Sequence, residues 1–262
     1  MADRYGKNLM STIFHGRAFR ESRLRDAMGP SNPLYLQLRA QTVDMYTFMD
    51  DFDQEALNGD YWTLHKTSST DWANLASSAG GLCSVTTDAT DNEYAGMYQG
   101  GSGLVYMADH RPVLLCRFGM GAAITTSKFE VGFSDGDADA GAVNAKATPT
   151  STATDYAVFI RDTDDDTTLE AVTDATTGAV QAVTFTPGIT FAVSTYYNLM
   201  VAIDENSICR FWIDNVYQGA STDGPDATTA LGIWIFGQTR DNAARTFNMD
   251  YVKAWQERSS QT

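Results

Sequence analysis

From about residue 50 onward the chain is a succession of short runs rich in β-branched and aromatic residues, with no helical period between them. The runs are 113–118, 128–133, 155–161, 180–185, 196–203, 208–212, 231–236 and 246–255. Turn formers separate them, as in Ser134-Asp135-Gly136-Asp137 and Asp204-Glu205-Asn206. Short strands punctuated this way exclude a helical bundle and a doubly wound α/β fold, and predict an antiparallel β-sandwich or barrel. Asp214-Asn215, between Phe211-Trp212-Ile213 and Val216-Tyr217, has the residues of a two-residue hairpin turn. Within 196–203, Leu199, Val201 and Ile203 alternate with Asn198, Met200 and Ala202, the period of a strand.

The first 48 residues read differently. Residues 1–40 hold seven basic and three acidic side chains, whereas the other 222 of the 262 residues hold 11 basic and 30 acidic. A basic arm on an acidic body is the organisation this predicts: arm 1–48, sandwich 49–258, tail 259–262. Gly29-Pro30-Ser31-Asn32-Pro33 breaks the arm, and Leu34, Leu36 and Leu38 then alternate with polar residues as an extended segment would. Arg17, Arg20, Arg23, Arg25, Leu34, Leu36, Leu38 and Arg39 are the expected partner-binding residues of the arm, through charge steering and strand addition. The net charge of −15 argues against nucleic acid as a partner. The uncharged stretch 175–203 is broken by Pro187, Gly188 and many threonines, so it reads as strands and turns, not a membrane span. The N-terminus lacks an apolar signal region, and Cys83, Cys116 and Cys209 are too scattered for a disulfide framework. Both features suit a chain made in a reducing cytoplasm. Residues 135–154, mostly Ala, Thr, Gly, Ser and Asp, read as a long exposed loop.

The order of features resembles a concanavalin A-like jelly roll, the lectin and glucanase sandwich. The residues that carry this are Asp51-Phe52-Asp53 leading to Tyr61-Trp62-Thr63, then the 196–204 strand with its hairpin, and the closing Met249-Asp250-Tyr251-Val252-Lys253-Ala254-Trp255. Together they cover roughly 50–257. In style the chain is similar to bacteriophage virion members of that superfamily, head decoration (cement) proteins first and tail-fibre or receptor-binding domains second. The resemblance implies a structural protein on the capsid surface, with the major capsid protein and its own copies as partners. A homotrimer is expected ahead of a dimer.

Catalytic signatures are absent from the sequence. The family's hydrolases place a Glu-x-Asp-x-x-Glu strand astride the glycosidic bond. None of the seven glutamates here is followed two residues later by Asp, and Phe129-Glu130-Val131-Gly132-Phe133 lacks both partners. Glu130 is therefore expected to be an exposed strand residue. His15, His65 and His110 have no metal-like or triad-like spacing. Asp135-Gly136-Asp137-Ala138-Asp139 opens like a calcium loop, but Ala140 and Lys146 stand where Gly and Glu are required. With Asp162, Asp164, Asp165 and Asp166 it is read as a solvated turn, and no cofactor or metal is expected. Trp212 and Trp234 lie in apolar runs and are expected in the core or an inter-subunit contact. Trp62 and Trp72, in a polar segment, are the candidate platform should the chain bind glycans.

Overall fold

The computed structural model describes residues 45–258, apart from 68–70, 76–79, 101–105, 122, 137–140, 147–149, 152, 177 and 179. In chain order the strands are Met45–Asp50 (β1), Thr63–Lys66 (β2), Ala73–Asn74 (β3), Cys83–Thr86 (β4), Tyr94–Gln99 (β5), Val113–Met120 (β6), Ser127–Ser134 (β7), Val143–Ala145 (β8), Thr150–Ser151 (β9), Tyr156–Asp162 (β10), Thr168–Asp174 (β11), Gln181–Thr190 (β12), Tyr196–Ile203 (β13), Cys209–Ile213 (β14), Val216–Ser221 (β15), Gly232–Thr239 (β16) and Thr246–Glu257 (β17). A 3-10 turn at Ala108–His110 is the one helical element among the described residues.

Every strand pairing is antiparallel. Sheet A runs β15-β14-β13-β6-β17-β4-β3, and sheet B runs β12-β11-β10-β7-β16-β5-β2. The long β17 pairs with β6 on one flank, and its other flank is shared by β4 and β1. β1 begins at Met45, so the expected boundary at residue 49 falls inside a strand whose Phe48 already packs in the core. Asp51-Phe52-Asp53, one of the segments that carry the jelly-roll resemblance and that the resemblance would make an early strand, is instead the irregular exit from β1, with Phe52 at φ +55°. The arm residues Arg17, Arg20, Arg23, Arg25, Leu34, Leu36, Leu38 and Arg39 lie outside the described residues.

The strand period sorts side chains between the two faces of each sheet. Phe129, Val131 and Phe133 of β7 and Leu199, Val201 and Ile203 of β13 point between the sheets. Aromatic pairs bridge the layers, Phe118 to Phe129 at 4.8 Å and Phe159 to Phe211 at 5.2 Å. Each fully buried side chain of this kind contributes about 1.5–3 kcal/mol. Cys83, Cys116 and Cys209 are free thiols in this core, and burial pushes all three thiols up, away from the reactive thiolate. At one edge the sheets are tied by Ser221 of β15, whose hydroxyl meets Thr173 Oγ1 at 2.6 Å and Gln181 Oε1 at 2.7 Å. The architecture is a sandwich of two antiparallel sheets.

Candidate functional site

The outer face of sheet B is the chemically distinctive surface. β7 presents Lys128 and Glu130 there, between the core-facing Phe129 and Val131. β16 presents Trp234 and Phe236, and β5 presents Tyr94 and Tyr98. Phe236 stacks on Tyr94 at 5.7 Å and on Trp234 at 5.5 Å, while Tyr98 and His65 meet the Trp234 ring at 6.2 and 6.1 Å, steeply inclined to it. Gly96 makes room for this stack: a Cβ there would stand 2.9 Å from Trp234 Cη2.

That face is not open. The segment expected to be a long exposed loop, 135–154, contains the β8–β9 hairpin, and its Ala142, Val143 and Ala153 are buried in one cluster with Trp234, Phe236, Tyr156 and Val158. The composition of small residues misled the sequence reading. Small side chains are what a second layer needs to lie flat on an aromatic stack.

Glu130 holds the hairpin down. It was expected to be exposed, yet its side chain is 0% accessible. One carboxylate oxygen accepts from the Ala142 N–H at 2.7 Å and the Trp234 indole N–H at 2.8 Å. The other accepts from the Val143 N–H at 3.1 Å and faces Lys128 Nζ at 3.0 Å. Lys128, also 0% accessible, donates in turn to the Val143 carbonyl and lies 5.2 Å from the Phe236 ring centroid. The close approach of the hairpin requires glycine at Gly141, which sits at φ +90° with a built Cβ 2.5 Å from Glu130 Oε1. A carboxylate with four donors around it is a structural anchor, with no lone pair left to take a proton from water or attack a sugar. The signal in the sequence is Lys128-Phe129-Glu130-Val131. Opposite charges two apart share one strand face, and that face is also the one carrying Trp234 and Phe236.

A second latch lies at the turn of the hairpin. Lys146 is fully buried and reaches Asp166 at 2.6 Å and the Thr168 carbonyl at 3.1 Å, with Asp165 at 3.8 Å and Glu170 at 4.0 Å. Partial desolvation works to raise the Asp166 pKa, but the Lys146 ammonium and the Thr168 hydroxyl and N–H outweigh it and hold it at about 2. Burial pushes the Glu170 carboxyl up, against the pull of Lys146. Asp162 is taken by Arg240, which contacts both its oxygens at 2.9 and 2.5 Å. Of the acidic turn read as solvated, Asp162 is buried against Arg240, whereas Asp164 and Asp166 are 65% and 47% exposed and combine solvent with their ion pairs. No cluster of three metal-type ligands occurs among the described residues.

The expected glycan platform is not formed. Trp62 and Trp72 are 3% and 2% accessible. The Trp62 indole donates to Asp50 Oδ2 at 2.8 Å and packs near Phe48 and Phe52, and the Trp72 indole donates to the Ala95 carbonyl at 3.2 Å. Their polar neighbour Asp60 faces solvent and Asp71 pairs with Lys66 at 2.5 Å while the rings turn inward, so neither ring offers a free face to a sugar. Trp234 and Trp212 are both buried, Trp234 on the outer face of sheet B and Trp212 on the outer face of sheet A.

Comparison with known proteins extends the fold and stops there. No protein-family model matches the chain, and no curated protein matches it in sequence. Among solved structures it is similar to the Emp47p carbohydrate recognition domain, with a TM-score of 0.57, 11% identity, and 82% of this chain covering 98% of that one. It is also similar to a glycoside hydrolase family 16 endo-glucanase from Bacteroides ovatus, with a TM-score of 0.56, 12% identity, and 79% of this chain covering 99% of that one. An endo-β-1,4-glucuronan lyase from the fungus Trichoderma reesei gives a TM-score of 0.54 at 10% identity, with coverages of 80% and 95%. These likenesses show the fold, a concanavalin A-like jelly roll of the lectin and glucanase kind. At such identities they carry no particular activity across.

Proposed function

We propose that this chain is a non-catalytic structural sandwich, a decoration protein of a bacteriophage capsid that attaches to the major capsid protein through its basic N-terminal arm. The observation that supports a non-catalytic reading is the Glu130 anchor. The carboxylate on the aromatic face of sheet B is spent on four donors, and a hairpin covers the stack beside it. A glycosidase of this architecture needs two free carboxyl groups on either side of an open cleft. The capsid role is supported by the charge split between the arm and the body and by the resemblance of the whole plan to virion sandwiches. Arg17, Arg20, Arg23 and Arg25 would steer the arm to an acidic surface, and repeated copies, three by preference, would occupy the symmetric positions of a shell.

The experiment is co-sedimentation of the full chain with shells assembled from a bacteriophage major capsid protein. Saturable binding that is lost in an Arg17, Arg20, Arg23, Arg25→Ala variant is expected. Undiminished binding by that variant, or no binding by the native chain, would contradict the proposal.

A second reading, a glycan-binding sandwich of a tail fibre, is favoured by the likeness to the Emp47p carbohydrate recognition domain and by Tyr98 and His65, which remain part-exposed at the rim of the Trp234 stack. A glycan array separates the two readings, since specific sugar binding weakened by Tyr98→Ala would select the second.

A further inference from the structure

The chain has 11 asparagines, and only Asn58 is followed by glycine. Asparagine is a chemically labile side chain, and the residue after it decides how readily the next backbone nitrogen reaches the carboxamide. A Cβ on that residue obstructs the approach, and glycine has none. Asn58 and Gly59 lie in the turn between β1 and β2. Leu57 packs against the core on one side and Trp62 is 3% accessible on the other, so both ends of the turn are held, while Gly59 and Asp60 at its tip are exposed. The Asn58 carbonyl accepts from the Tyr61 and Trp62 N–H groups at 3.1 Å each, and its side-chain Oδ1 accepts from the Asp60 N–H at 2.9 Å. A Cβ built on Gly59 meets no atom within 4 Å. The turn thus joins a carboxamide carbon, an uncrowded backbone nitrogen one residue on, and an N–H already bonded to the oxygen on which negative charge develops during acyl transfer.

We infer that Asn58–Gly59 is a site of spontaneous backbone modification. The Gly59 nitrogen gives its proton to hydroxide and bonds to Asn58 Cγ, and the Asp60 N–H stabilises the resulting oxyanion. The carboxamide C–N bond then breaks, ammonia leaves with a proton from water, and a succinimide remains. Water opens that ring at either carbonyl, giving aspartate or isoaspartate at position 58. The two Asp-Gly steps of the chain lack these features. Both carboxylate oxygens of Asp135 are occupied by Thr154, one by its N–H at 3.0 Å and the other by its hydroxyl at 2.6 Å. Gly224 is packed so closely that a Cβ would lie 2.4 Å from Cys209 Sγ. At position 58 the product adds a negative charge, and the isoaspartyl form adds a methylene to the main chain. That change falls beside Trp62, whose indole ties this turn to Asp50 at the end of β1 at 2.8 Å.

The test incubates the full-length chain for days at mildly alkaline pH and follows the tryptic peptide Ala40–Lys66, in which Asn58 is the only asparagine. Mass spectrometry with fragmentation that separates aspartate from isoaspartate reads the products. This peptide should convert to both faster than every other asparagine-containing peptide, at a rate that rises in proportion to hydroxide. The folded chain should convert at least as fast as the same chain held in urea, because the turn supplies the oxyanion donor. Gly59→Ala should slow the conversion by about an order of magnitude while melting as the native chain does, since the added methyl touches nothing. Slower conversion in the folded chain than in urea, or conversion of Gly59→Ala at the native rate, would overturn the inference.

Discussion

Glu130 and Lys128 are worth more as a pair than either is alone. A buried ion pair contributes little net stability against an apolar substitute, but removal of one partner leaves the other charge buried and uncompensated. Glu130→Gln should therefore cost about 3–5 kcal/mol, read from urea denaturation, and Lys128→Met in the same chain should restore a large part of it. A loss below about 1 kcal/mol in the single variant would mean that the carboxylate does not anchor the hairpin. Asp166 acts differently because its side chain is half in solvent. Its pKa is held at about 2, below the ~3.9 of the unfolded chain, so its contribution is complete above about pH 4 and is lost as the pH falls toward 2. Melting temperatures of the native chain and of Asp166→Asn should differ at pH 6 and converge at pH 2. A constant gap across that range would refute the Lys146 latch.

At the scale of elements, the hairpin at Asp214-Asn215 shows sequence and structure agreeing. Both residues adopt positive φ, +49° and +64°, the conformation a tight two-residue turn demands. Asp214 Oδ1 adds acceptance from the Asn198 N–H at 2.9 Å. Asn215→Gly should leave stability unchanged or slightly raised, whereas Asn215→Val should lose about 1–2 kcal/mol by forcing a β-branched residue into that region, as thermal melts of the two variants would record. Runs with a clear apolar period, such as 196–203 and 246–255, read directly as strands because packing and propensity favour the same state there. β5 and β11 did not stand out: Tyr94-Ala95-Gly96-Met97-Tyr98-Gln99 and Thr168-Leu169-Glu170-Ala171-Val172-Thr173-Asp174 mix apolar with polar or small residues, and their burial comes from neighbours far along the chain. The β8–β9 hairpin was hidden for the same reason, since nothing local tells a buried run of small residues from a solvated loop. At the candidate site, the aromatic content was visible, but the pairing of Lys128 with Glu130 was not, because an isolated charge reads as exposed until its partner is placed.

Over the whole molecule, two sheets enclose one core, and sheet B carries a second apolar layer under its hairpin. The hairpin makes sheet B a closed face where Trp234 and Phe236 lie. The claim that the hairpin is fixed in place by Glu130 is the centre of this account, and amide hydrogen exchange at Ala142 and Val143 tests it most directly. Their N–H groups donate to the buried carboxylate at 2.7 and 3.1 Å. They should exchange only with global unfolding, at the rate of core amides such as Val131, and Glu130→Gln should release them to faster exchange. Exchange of Ala142 and Val143 in the native chain at the rate of an open loop would show that the hairpin lifts freely, and would contradict the closed face.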